Sequence, residues 1–213
     1  MTSNADSPRL CLIVEVAPDP KLLTRTEAAL TASGAVTLVL AAPAGGSLEA
    51  AALKPLVAPL VAMAQKLNVA ALIENDASLA RAVGADGVHL AARSDIVDAY
   101  ETARNLLGPN AIIGADAGGS RHDAMELGES GADYVAFSID TAEHEDLVAW
   151  WVELFTIPVV ALGVDREEDA ASLAAIGTDF IAARLPLGVH EQDVAAWAAG
   201  LARAVRNPGN TVA

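Results

Sequence analysis

Short, continuous apolar runs alternate along this chain with longer segments whose apolar residues recur at helical spacing. Eight runs read as strands: Leu10–Val16, Val36–Ala41, Val69–Ile73, Gly87–Leu90, Ala111–Ala115, Tyr134–Ser138, Pro158–Leu162 and Phe180–Ala183. They are rich in Val, Ile and Ala, as parallel strands buried on both faces are. The intervening segments, among them Ser47–Leu67, Ser94–Leu107, Ser120–Gly128 and Arg166–Ile176, carry good helix formers at helical spacing. Ser47, Ser94 and Ser120 stand where N-caps belong. Alternating strand and helix predicts a parallel sheet, and eight such units favour closure into a (βα)8 TIM barrel over an open doubly wound sheet.

A weak internal repeat supports that division. Gly84-Ala85-Asp86, Gly131-Ala132-Asp133 and Gly177-Thr178-Asp179 each close a helix and open a strand, at intervals of 47 and 46 residues. Glycine suits the left-handed residue that ends a helix, and a period near two strand–helix units implies a barrel built from similar quarters. The expected organisation is one domain over 9–206, with a disordered start at 1–8 and a flexible tail at 207–213.

Composition narrows the function classes. Of 213 residues, 28 are acidic and 13 basic, a formal net charge of −15. Such a field repels nucleic acid and anionic membrane surfaces, and it disfavours a diphosphate ligand unless a metal ion or local cations offset it. No apolar run reaches the roughly 18 residues of a membrane span. The opening MTSNADSPRL lacks the charged-then-apolar order of a secretory signal, which makes a cytoplasmic location the expectation. Cys11, the single cysteine, sits in an apolar run and reads as a buried structural thiol. The expected partner is a small molecule; a homo-oligomer is left open.

Chemistry on such a barrel belongs at the carboxyl ends of the strands. Asn75-Asp76 ends the third strand, His89 lies near the end of Gly87-Val88-His89-Leu90, and Gly163 ends Pro158-Val-Val-Ala-Leu-Gly163. Asp116, Ser138 and Arg184 fall at the ends of the fifth, sixth and eighth strands. These stretches resemble the thiamine-phosphate synthase family and its thiazole-tautomerase relatives, over about Leu10 to Leu187. The resemblance implies joining of a pyrimidine diphosphate to a thiazole phosphate, with magnesium holding the diphosphate if that activity is retained. It casts Asn75 as a diphosphate contact, Asp76 as a magnesium ligand and His89 as a pocket-floor residue, with Thr141 and Gly163 as substrate contacts. Asp116, Ser138 and Arg184 join the substrate-binding candidates by their strand-end placement.

The departures from the pattern are specific. The second metal ligand's position falls on Ser94, with Asp95 one step beyond as a candidate ligand. Thr37-Leu38-Val39-Leu40-Ala41 stands where the family supplies a pyrimidine contact and two cations. Asp116 replaces a serine, the lysine after Thr141 is missing, and Val164 replaces the second glycine of a phosphate nest. Arg93, Arg121 and Arg184 are candidate replacement cations, the first two competing with ordinary surface ion pairs.

Plainer readings stand beside these roles: Asn75 or Asp76 as a helix cap, His89 as hydrogen-bonded structure, His122 as a surface helix residue, and His144 as an exposed neighbour of acids. The expectation is a synthase-like barrel whose catalysis has degenerated or been repurposed to bind a small ligand, phosphorylated or not. The alternative is an active synthase.

Overall fold

The computed structural model describes residues 7–43, 50–139, 142–186 and 189–208. In chain order the elements are β1 (Arg9–Glu15), α1 (Leu22–Ser33), β2 (Thr37–Ala41), α2 (Ala50–Lys66), β3 (Ala70–Glu74), α3 (Ala77–Val83), β4 (Gly87–Leu90), α4 (Ile96–Leu107), β5 (Ile112–Asp116), α5 (Arg121–Glu129), β6 (Tyr134–Ser138), α6 (Ala142–Leu154), β7 (Val159–Val164), α7 (Glu167–Ile176), β8 (Phe180–Arg184) and α8 (Glu191–Arg206). Each strand pairs in parallel with the next, and β8 returns to β1, so the sheet closes. The chain is a (βα)8 TIM barrel, as the alternation predicts.

Apolar residues fall into two sets because neighbouring positions on a strand face opposite ways. Leu10, Leu12 and Val14 of β1 join the layer between sheet and helices. Cys11 and Ile13 of the same strand join Val39, Leu72, Ala136 and Ala182 inside the barrel. Burial pushes the Cys11 thiol up to about 12, which fits a structural thiol. No helix of the described residues is long and apolar enough to cross a membrane.

The Gly-Ala/Thr-Asp repeat has a physical cause. Gly84 and Gly177 end α3 and α7 in the left-handed region, at φ +70° and +94°. The following aspartates reach across to the neighbouring strand. Asp86 accepts from the Ala71 N–H at 2.8 Å, Asp133 from Ile113 at 2.8 Å, and Asp179 from Val159 at 2.9 Å. Each carboxylate thus satisfies a backbone donor at the start of β3, β5 or β7. Replacing Asp86 by Ala strands the N–H of the fully buried Ala71, an expected loss of about 1–3 kcal/mol. Urea unfolding of D86A and D86N checks this: Asn keeps a carbonyl acceptor and should recover part of the loss. An unchanged midpoint for D86A would remove the repeat's proposed role.

One expectation about caps needs adjustment. Ser120 caps α5, accepting from the Asp123 N–H at 3.1 Å. The residue at the start of α4 is Asp95 rather than Ser94, and its side chain makes no capping bond because it is held by Arg93. Ser47 lies outside the described residues, as do 1–6 and 209–213, where most of the two expected disordered ends fall.

Candidate functional site

Period-two alternation places Glu15, Ala41, Glu74, Asp116, Ser138 and Arg184 at the inward-facing, carboxyl-terminal ends of β1, β2, β3, β5, β6 and β8. They form the mouth of the barrel. Burial raises the Glu74 carboxyl above its ordinary range; the nearby Arg184 opposes that shift and the negative Glu15 reinforces it. Two glutamates and an arginine therefore share one side of the mouth. Arg184 was among the candidates; Glu15 and Glu74 were not.

Across the mouth, the Ser138 hydroxyl donates to one oxygen of Asp116 at 2.6 Å, and the Gly118 N–H donates to the other at 2.8 Å. Asp116 is buried, at 3% exposure. Burial raises its carboxyl, against the pull of the Ser138 and Gly118 hydrogen bonds and of His144. Its charge is thus partly absorbed by local donors, less repulsive to an anion than the sequence implies. His144 is half-buried rather than exposed. Its ring lies over the β5–α5 loop, with Nε2 3.6 Å from where a Gly119 side chain would begin.

His89 points into the barrel and is buried, at 3% exposure. Its Nδ1 is 2.9 Å from the Tyr134 hydroxyl, and the two rings lie within 7° of parallel. Burial, with a smaller push from Arg184, lowers the imidazole to about 4, so it is neutral at physiological pH. These are features of a core histidine, the plainer of the two readings given above.

Asn75, Asp76 and Asp95 gather elsewhere on the rim. With Arg93 and Asp98 they line a hollow of 350 Å³ beside α4 and the start of α3. Asn75 takes φ +58°, and its Oδ1 accepts from the Ala91 N–H at 2.9 Å, tying the end of β3 to that of β4. Asp76 caps α3, accepting from Leu79 at 2.8 Å. The helix-cap reading of this pair is therefore realised for Asp76. Asp95 is exposed and held in a two-point pair by Arg93, with Nη2 2.8 Å from Oδ2. That pair lowers the Asp95 carboxyl.

As a magnesium site the hollow supplies hard oxygen donors from Asp76 and Asp95. Asp95 is available only if Arg93 releases it. Arg93 is thus an ion-pair partner, and Arg121 stacks its guanidinium 4.7 Å over the Trp150 ring. His122 is a surface residue of α5, 3.6 Å from Glu126.

Gly163 adopts φ +85°, and the register of β7 against β8 slips between Leu162 and Val164. This bulge rotates Val164 into the layer between sheet and helices, where it is 1% exposed. Val164, which stands where the family has the second glycine of a phosphate nest, therefore does not project into the mouth. Thr141 lies outside the described residues. Of the candidates, Asp116, Ser138 and Arg184 share the mouth, Asn75, Asp76 and Asp95 share the side hollow, and His89 lies in the core.

A closed parallel barrel with ionisable groups collected at the carboxyl ends of its strands has the layout of an αβ-barrel enzyme. A family model described as thiamine monophosphate synthase matches residues 10–186. The chain belongs to the thiamine-phosphate synthase family. It is 44% identical over 127 residues to the thiamine-phosphate synthase of Hyphomonas neptunium, a stretch covering 55% of this chain and 56% of that protein. It is 36% identical over 169 residues to that of Rhodospirillum centenum, covering 73% of this chain and 77% of the relative. The chain thus spans little more than half the length of the first of these relatives. A thiamine phosphate pyrophosphorylase structure from Pyrococcus furiosus superposes with a TM-score of 0.78, covering 96% of this chain and 98% of the other at 23% identity, a likeness of fold.

Proposed function

We propose that this chain is a thiamine-phosphate synthase, joining a pyrimidine diphosphate to a thiazole phosphate with release of diphosphate. The observation that carries the reading is the family match over 10–186 together with Asn75-Asp76 at the end of β3. The names of relatives at 36% and 44% identity support turnover rather than its loss. In this reading Asn75 fixes the β3–β4 rim, Arg184 supplies positive charge inside the mouth, and the Ser138–Asp116 pair shapes the wall opposite. Magnesium, held by Asp76 together with phosphate oxygens and water, would offset charge on the departing diphosphate. The setting that goes with this reading is the cytoplasm.

A second reading, a barrel repurposed to bind a small ligand without turnover, is favoured by one observation. Val39 and Ala41 face inward on β2, where the family resemblance calls for cations, and Glu15 and Glu74 add negative charge nearby. Each missing charge-assisted contact to phosphate is typically worth about 1.5–3 kcal/mol, a large handicap if Arg184 does not compensate.

Incubating the purified chain with both phosphorylated substrates and magnesium tests the proposal. Thiamine phosphate should form, and Asp76→Ala should reduce the rate at least about 100-fold, while circular dichroism controls for loss of the α3 cap. Saturable binding of the thiazole phosphate with no product would establish the second reading instead.

A further inference from the structure

The barrel interior is not filled. A cavity of about 370 Å³ runs into the core from the amino-terminal face, the end opposite the mouth. Barrel cores of this class are normally packed by layers of side chains. Here Ala70 and Ala182 occupy positions where larger residues would close the space. Gly114 does not contribute, since the Tyr134 ring already lies where its side chain would be, 2.0 Å from that position. The void is lined instead by Val39, Leu72, Ile112, Val160 and Phe180.

Its few polar groups are already engaged. The Tyr134 hydroxyl and His89 Nδ1 bond to each other at 2.9 Å, and Thr37 is hydrogen-bonded to the Cys11 thiol. The Asp133 carboxylate accepts from the Ile113 N–H at 2.8 Å and pairs with Arg104 at 2.7 Å. Water in a cavity needs two to four polar partners, whereas an apolar void of about 150 Å³ already suffices for benzene. At the entrance Arg9, an exposed residue, lies over the Phe180 ring at 4.3 Å from its centroid. A guanidinium on a flexible stem stacked on a ring is a movable cover rather than a wall.

We propose that this cavity is a second binding site, entered from the amino-terminal face, for a small neutral aromatic molecule of one or two rings. Size, apolar walls and the flat faces of Tyr134, His89 and Phe180 select that class. A charge inside is disfavoured by the apolar walls beyond Arg9 and Asp133, the two ionised residues of the lining, which stand exposed at the entrance. Burial there already holds the His89 imidazole neutral and the Cys11 sulfur as a thiol. The site is separate from the mouth, and its occupancy requires no phosphate.

Toluene and benzoate, alike in shape and different in charge, are the probes. Saturation-transfer NMR on the full chain should detect toluene binding at submillimolar to millimolar concentration, and benzoate should bind at least 10-fold more weakly. Of the histidine ring signals, His89 should move with toluene, while those of the surface residues His122 and His190 stay fixed. Ala182→Leu, which fills the cavity, should weaken toluene binding at least 10-fold; if that variant does not fold, the His89 signal decides. No toluene binding, equal binding of benzoate, an unmoved His89 signal, or full affinity in folded A182L would each overturn the proposal.

Discussion

Gly87→Ala is expected to unfold or grossly destabilise the protein, by on the order of 4 kcal/mol or more. A side chain at Gly87 would begin 1.8 Å from the Ile112 carbonyl oxygen and 2.6 Å from its carbonyl carbon. Those are backbone atoms of the paired strand β5, so no rotamer change relieves the overlap. β4 and β5 would have to separate where the barrel is closed by four-residue and five-residue strands. A domain's net stability is roughly 5–15 kcal/mol, which such a break largely consumes. Gly34→Ala is the matched control: φ is +66° but no atom lies within 4 Å of the new Cβ, so it should cost only about 1 kcal/mol. Far-ultraviolet circular dichroism and urea midpoints of the two variants test the contrast. Equal stability of G87A and G34A would show that the strands yield more readily than their backbone contacts imply.

The sheet was legible because its strands are buried on both faces and therefore written as unbroken apolar runs; each observed strand overlaps its expected run closely. The mouth was less so. Glu15 and Glu74 obey strict alternation, since Ile13 and Leu72, two positions earlier, face inward. The apolar run Val69–Ile73 stops one residue short of the inward Glu74, and the family pattern at Asn75-Asp76 begins one residue beyond it, so the glutamate fell between the two signals. The fate of Val164 was not legible: an extra residue at Gly163 inverts the facing of the next position, and a bulge leaves no periodic signal. Nor was the His89–Tyr134 pair, which spans 45 residues and depends on the absence of a side chain at Gly114. His144 was misplaced because the acids around it suggested solvent, whereas its position over Gly119 is set by how α6 packs back on the barrel.

The buried His89 makes an acid-sensitive contribution to the stability of the fold. An unfolded histidine titrates near 6.5, whereas His89 in the fold titrates at about 4. The folded value is depressed, so the neutral imidazole's contribution is complete above pH 6.5. It is lost as pH falls from there toward 4, because the unfolded chain takes up a proton that the fold resists. By pH 4.5 the loss should reach about 2.5 kcal/mol, two decades of protonation at 1.36 kcal/mol each with a small correction. Asp116 and Glu74 act in the opposite sense: their carboxyls are raised in the fold, so acidification relieves their burial and partly masks the histidine. The comparison therefore needs a neutral substitute. Gln at position 89 can still meet the Tyr134 hydroxyl and has no proton to gain. Measured by urea unfolding at pH 7.5 and 4.5, the stability advantage of the wild type over H89Q should shrink by about 2–3 kcal/mol on acidification. A gap that stays constant to within about 0.5 kcal/mol would mean that His89 protonates in place, and that the barrel core admits water and charge more freely than its apolar walls indicate.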